Sequence, residues 1–293
     1  MKLYQIAELE QLTGIKAHTL RIWEKRYGLI EPTRTSTNIR RYDDDQVKKL
    51  LNVATLLGSG YKISKIAELN EKEVSAIINS LQQGDSINSI SEGFINQLLS
   101  AMIGFNEQAF EKAYSAAVNK LGLFDAMLNV FYPLFHKIGV MWVTDNLTPV
   151  QEHFASCIIK RKLMAAIDAL PIPTKKKTFL LLLPPGEYHD VSLLLANYLV
   201  KSKGYHAIYL GQNVPYENID SVLIETKAQF LLMFYVNPRD AKEVYEEITE
   251  HIFLPKDVKF LVSGNRQIMA YLDEKKNCKV LHSPQDLLKI LDA

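Results

Sequence analysis

Gly14 separates two apolar stripes of helical spacing, and that separation limits what the first forty residues can fold into. Ile6, Leu9 and Leu12 recur at three-residue intervals before it, and Ile15, Leu20 and Trp23 continue a second apolar face after it. Two short helices meeting at a glycine turn make a helix-turn-helix, whose second helix can enter a DNA major groove. The charge agrees. From Lys16 to Arg41 there are seven basic residues against two acids, a local excess of five, whereas the whole chain carries only +1. Clustered Lys and Arg neutralise phosphates and release counterions, the term that dominates non-specific DNA affinity. The segment is therefore expected to bind double-stranded operator DNA, with Leu20 and Trp23 as core and with Arg21 and Arg40 turned to the duplex.

The motifs Ile6-Ala7-Glu8-Leu9, Thr13-Gly14-Ile15, Thr19-Leu20-Arg21-Ile22-Trp23-Glu24, Tyr27-Gly28-Leu29, Pro32-Thr33-Arg34 and Arg40-Arg41-Tyr42 resemble the MerR family of transcription regulators. That family is a winged helix-turn-helix. The resemblance implies that Ala17, His18, Arg21 and Lys25 face the groove and that Arg34, Arg40 and Tyr42 lie on the wing against phosphates. The Trp23-Glu24-Lys25-Arg26-Tyr27 form looks like the subgroup that carries a cobalamin-type sensor.

Composition bounds the rest. At 293 residues and 47% hydrophobic content the chain has room for two or three domains with real cores. No apolar run approaches the roughly 18 residues of a membrane span, and Met1-Lys2-Leu3-Tyr4 opens without a signal-peptide pattern. Cys157 and Cys278 are the only cysteines, too few and too far apart for a disulfide framework or a zinc site. A cytoplasmic protein is expected, and a metal sensor with cysteine ligands is not.

Residues 1–72 are expected to form the winged helix-turn-helix. Leu81-Gln82-Gln83-Gly84-Asp85-Ser86 interrupts the helical pattern, so 73–88 reads as a linker. Residues 89–171 show four helical faces: Ile95, Leu98, Leu99, Met102; Phe110, Ala113, Tyr114, Ala117; Leu128, Phe131, Leu134, Phe135, Ile138; and Phe154, Ile158, Leu163, Ile167. Connections this short predict a four-helix bundle, ended by Pro171-Ile172-Pro173. Residues 176–293 change character. Phe179-Leu180-Leu181-Leu182-Leu183 is a continuous apolar run, as a strand buried on both faces requires. Strands at 207–210, 230–236, 258–262 and 279–281 alternate with helices. The pattern predicts a doubly wound, Rossmann-like parallel sheet that binds ligands at the carboxyl ends of its strands.

The loop after the first of these strands reads Gly186-Glu187-Tyr188-His189-Asp190-Val191-Ser192. A neutral imidazole there can coordinate a transition metal such as cobalt, and Glu187 or Asp190 can hold its other nitrogen. Glu187-x-His189 followed by Ser192 resembles the Asp/Glu-x-His-x-x-Gly motif of cobalamin-binding domains, which implies that His189 is the lower axial cobalt ligand. Trp142 followed by Gln151-Glu152-His153 resembles the light-dependent repressors of the CarH type. The resemblance implies that the bundle caps cobalamin and that Trp142, Glu152 and His153 pack round an adenosyl group. There are departures. Ser192 replaces the motif's glycine, Phe234-Tyr235-Val236 replaces a Ser-x-Leu that lines the nucleotide-tail pocket, and Ser263-Gly264-Asn265 replaces a Gly-Gly. Val143 follows Trp142 where the light-responsive type has a histidine in this region.

These features lead to a MerR-type regulator, a repressor rather than an enzyme. Its C-terminal module is expected to sense cobalamin (adenosylcobalamin) or a related ligand and to control homo-oligomerisation. The alternative is a degenerate, cofactor-free module for oligomerisation or protein interaction. A cobalamin enzyme is disfavoured because the chain has a DNA-binding head and no recognisable acid–base pair.

Overall fold

The structure, a computed structural model, describes residues 3–81, 87–143, 149–275 and 278–293. Its two compact units divide at Ile158/Ile159. In the first, α1 (Ile6–Thr13) ends where Gly14 adopts φ 73° and donates its N–H to the Glu10 carbonyl. That left-handed cap suits glycine, which has no Cβ to clash. Helix α2 (Ala17–Tyr27) has no side-chain cap of its own. Glu10 supplies one from α1, its Oε2 accepting the Ala17 N–H at 2.9 Å while Oε1 accepts Lys16 Nζ at 2.9 Å. A wing follows, made of antiparallel β1 (Thr33–Arg34) and β2 (Arg40–Arg41), with Thr33 opposite Arg41. Helix α3 (Asp44–Gly58), capped by the Asp43 carboxylate, closes the head. Leu9, Leu12, Leu20, Trp23, Val47, Leu50 and Leu51 form its core. Leu20 and Trp23 are thus core, as their spacing predicts.

The expected linker is in part a helix. After α4 (Ile63–Ile66), α5 spans Glu71–Leu81. Asn70 caps it, with Oδ1 accepting from the Lys72 and Glu73 N–H groups and with the Glu73 carboxylate accepting from Asn70. Residues 82–86 lie outside the described set. Helix α6 (Ile87–Ile103) begins the bundle, and Asn96 Nδ2 donates to Thr55 Oγ1 of α3 at 2.9 Å. Next come α7 (Glu107–Leu121), α8 (Leu123–Ala126), a π-turn at Met127–Phe131 and α9 (Tyr132–Val143). Tyr114 stacks on Phe131 at 4.6 Å. Helix α10 (Pro149–Asp168) packs through Phe154, edge-on to Phe105 and Phe110.

The second unit is a five-stranded parallel sheet. In chain order it holds β3 (Thr178–Leu182), α11 (Val191–Ser202), β4 (His206–Gly211), α12 (Ile219–Thr226), β5 (Phe230–Tyr235), α13 (Ala241–His251), β6 (Lys259–Gly264), α14 (Arg266–Lys275), β7 (Lys279–Val280) and α15 (Pro284–Asp292). The strand order is β4-β3-β5-β6-β7. Leu180, Leu182, Leu231, Met233, Tyr235 and Val262 share one apolar core with α12, α13 and α14. The alternate positions Phe179 and Phe230, stacked at 4.3 Å, turn to the other face, where Phe179 meets Tyr205 edge-on. The chain leaves β3 for β4 on one side and returns to β5 on the other. That reversal falls at the carboxyl ends of β3 and β5, the usual ligand position in this architecture.

Candidate functional site

The head presents a cationic helix face. His18, Arg21 and Lys25 of α2 are exposed and Ala17 is half-buried, at spacings that set them on one side of the helix. The wing is fastened to that helix by Glu24, whose carboxylate is 2.8 Å from Arg40 Nε and 3.7 Å from Arg34 Nη2. Arg40 therefore has an internal partner, which holds its guanidinium charged, and Arg34 is the more exposed of the two.

Tyr42 does not belong to this surface. Its backbone pairs with Tyr4, with N–H···O distances of 2.7 and 2.9 Å, and its side chain is 0% exposed. Burial pushes the phenol pKa up. The expectation that Tyr42 meets phosphate is therefore corrected: the strand pairing that extends the wing carries the ring into the head core.

In the sheet unit the loop after β3 is held from three sides. The Gly186 N–H donates to Asn213 Oδ1 at 2.9 Å, and the Asn213 N–H donates to the Glu187 carbonyl at 3.0 Å. The Glu187 carboxylate is buried, at 4% exposure. Its Oε1 accepts from the Tyr188 and His189 N–H groups and, at 2.8 Å, from His189 Nδ1. Its Oε2 accepts from the Val236 and Asn237 N–H groups at 2.8 and 2.7 Å. Since Val236 and Asn237 follow β5, Glu187 ties the loop after β3 to the end of β5. Burial alone would raise this carboxyl. The hydrogen bonds from the His189 ring and from the Asn237, His189 and Val236 amides outweigh it and bring the pKa down to about 2.

An ionised carboxylate only accepts hydrogen bonds, so Nδ1 of His189 carries a proton and donates it to Glu187. The ring is 58% exposed. Of the two acids that might have oriented it, Glu187 does so and Asp190 does not. Asp190 Oδ1 lies 3.1 Å from Lys160 Nζ, an ion-pair contact without hydrogen-bond alignment. Ser192 sits half-buried in the first turn of α11. Phe234, near the end of β5 and opposite Ser263, is 9% exposed.

In the bundle, Glu152 Oε2 is 2.7 Å from His153 Nδ1, and His153 is 75% exposed. Trp142 lies in α9, but its side chain is outside the described set. Among the described residues no group of three or more His, Cys, Asp and Glu is placed to hold a metal ion. None of the described helices is long and apolar enough to cross a membrane.

Residues 4–73 match the MerR HTH family regulatory protein family and residues 94–166 match the B12 binding domain family. The HTH-type transcriptional repressor CarH of Myxococcus xanthus is 25% identical over 265 residues, 89% of this chain and 88% of that one. The chain is homologous to CarH. CarA of the same organism, also an HTH-type transcriptional repressor, is 25% identical over 242 residues, 82% of this chain and 78% of its own. MlrA of Escherichia coli strain K12, an HTH-type transcriptional regulator, is 34% identical over 73 residues, 25% of this chain and 30% of its own. The monomethylamine corrinoid protein of Methanosarcina barkeri is a looser likeness, at 13% identity, 70% and 95% coverage and a TM-score of 0.47.

The chain thus carries a MerR-type DNA-binding domain and a B12 binding domain, and its curated relatives are transcription regulators, not enzymes. The B12 match falls on the helical bundle, from α6 to α10. Sequence reasoning missed Glu10, Asn213 and the two amides after β5. Only Asn213 left a trace, as an Asn in a short loop, a residue type that tolerates the positive φ of 53° it adopts.

Proposed function

We propose that this chain is a cytoplasmic transcription repressor whose C-terminal sheet module senses cobalamin and controls self-association. One observation carries the sensor half. An ionised, buried Glu187 fixes His189 as the Nδ1–H tautomer at the strand-order switch point. His189 would hold the group through Nε2, and cobalamin would supply a cobalt that can accept an imidazole nitrogen. The donor set fits the group. The metal-sensing members of the MerR family dimerise through a long helix after the head. Here the polar stretch Gln82-Gln83-Gly84-Asp85-Ser86 interrupts that pattern in the sequence, which supports self-association through the C-terminal module instead. Symmetric pairing would bring two heads to repeated half-sites.

A second reading, a cofactor-free assembly module, is favoured by Phe234. A nearly buried aromatic stands where the resemblance expects a small serine in the tail pocket, and close-packed interiors leave little spare volume. Titration of adenosylcobalamin into the full chain, followed by absorption spectra and gel filtration, separates the two. The sensor reading expects a cobalt–imidazole spectrum that His189→Ala abolishes, tighter binding by Phe234→Ser, and a change in oligomer size. Unaltered spectra and size in wild type and Phe234→Ser alike sink it in favour of the cofactor-free module.

For the head we propose that Ala17, His18, Arg21 and Lys25 face the major groove and that Arg34 and Arg40 meet phosphates. Arg21→Ala is expected to cost about 1–3 kcal/mol on a preferred site, as loss of a base-edge contact does. Arg40→Ala should weaken all sequences alike and lower the salt slope. Fluorescence anisotropy at several salt concentrations reads both, and unchanged affinity in the pair would remove the interface assignment.

A further inference from the structure

The face of α2 that carries His18, Arg21 and Lys25 also carries Ile22, 52% exposed in the middle of the helix. His18 lies one turn before it, and Lys25 and Arg26 one turn after. A single exposed isoleucine is ordinary on a protein surface. This one is flanked by the basic side chains of the helix proposed to enter the groove. Helix formation does not account for it, because a β-branched residue is a poorer helix former than alanine. Core packing does not account for it either, since Leu20 and Trp23 supply the buried side of the same helix.

A major groove offers an aliphatic side chain one apolar target, the C5-methyl group of thymine. We propose that Ile22 is a specificity-determining residue that packs on a thymine methyl in the operator. Cytosine at that position would place an amino group against the same side chain and leave its hydrogen bond unmade, so the contact favours T·A over C·G. The inference rests on the DNA-binding reading of α2 but adds a base preference that none of its charged residues can provide.

The test first selects a preferred duplex from a randomised pool with the full-length wild-type protein. Each thymine of that duplex is then replaced singly by deoxyuridine, which lacks only the methyl. At one thymine per half-site the wild type should bind about fourfold more weakly, the equivalent of one methyl group withdrawn from apolar contact. Ile22→Ala should bind the thymine and uracil duplexes equally, and Ile22→Val should keep most of the difference. Ile22 is exposed and alanine favours helix, so circular dichroism of the variant is expected to match wild type. The proposal is overturned if no thymine shows a methyl effect, or if Ile22→Ala retains it. Failure to select any duplex would overturn the DNA-binding reading itself, a separate outcome.

Discussion

Gly264→Ala should unfold the C-terminal module or destabilise it by on the order of 3–5 kcal/mol, a large fraction of the roughly 5–15 kcal/mol that holds a domain folded. Gly264 ends β6 opposite Tyr235 of β5, at φ 136°, a backbone region that side-chain-bearing residues rarely adopt. A Cβ built there would stand 2.0 Å from the Tyr235 carbonyl oxygen and 2.5 Å from its carbon. The obstacle is backbone, so no rotamer change relieves it. The same carbonyl accepts the Asn265 N–H, so pushing the strands apart also breaks the bond that starts the turn into α14. Strain of roughly 1–3 kcal/mol and overpacking of roughly 1–3 kcal/mol add to the expected size. Urea unfolding monitored by circular dichroism checks it. A loss under about 1 kcal/mol would mean that the strand ends are not as close as described.

The effect has a functional side. Tyr235 is followed directly by Val236 and Asn237, whose amides hold Glu187. Gly264 therefore sets the path of the β5 end, and through it the loop that presents His189.

Much of this was legible in the sequence, for reasons that differ by element. The sheet strands were readable because a strand covered on both faces must be apolar throughout, as Phe179 to Leu183 and Phe230 to Tyr235 are. Order in the sheet was not written in any one strand, yet helices between all strands leave few parallel arrangements. Helix α5 was hidden by its neighbour. Val74, Ile77 and Ile78 have helical spacing and Asn70 a capping box, but the polar, glycine-containing stretch from Gln82 drew the whole segment into a linker. Tyr42 was misplaced because its burial depends on Tyr4, 38 residues earlier, and an aromatic after two arginines looks like part of a basic wing. His189 announced itself by motif. Its holder was ambiguous, since Glu187 and Asp190 are both near in sequence and only the Val236 and Asn237 amides, some fifty residues on, decide between them.

Glu187→Gln is expected to destabilise the sheet module by about 3 kcal/mol and to disable His189 without removing it. The amide keeps one acceptor oxygen but turns an NH₂ toward donors. If the oxygen stays on Val236 and Asn237, the NH₂ faces the Tyr188 and His189 N–H groups, buried donors left unsatisfied at about 1–3 kcal/mol each. Nδ1 must then accept from the amide in place of donating, which moves its proton to Nε2, the nitrogen proposed to meet a metal. Nitrogen-15 shifts of the His189 ring should report the exchange of tautomers. The pH dependence has a fixed sign. Glu187 titrates near 2 in the folded chain against an ordinary 4.5, so its contribution is complete above about 4.5 and is lost as pH falls toward 2. Wild type and Glu187→Gln should therefore differ most in urea unfolding at neutral pH and converge between pH 4.5 and 2. A difference that is small and constant with pH, with the Nδ1–H tautomer retained in the variant, would mean that the carboxylate does not hold the ring.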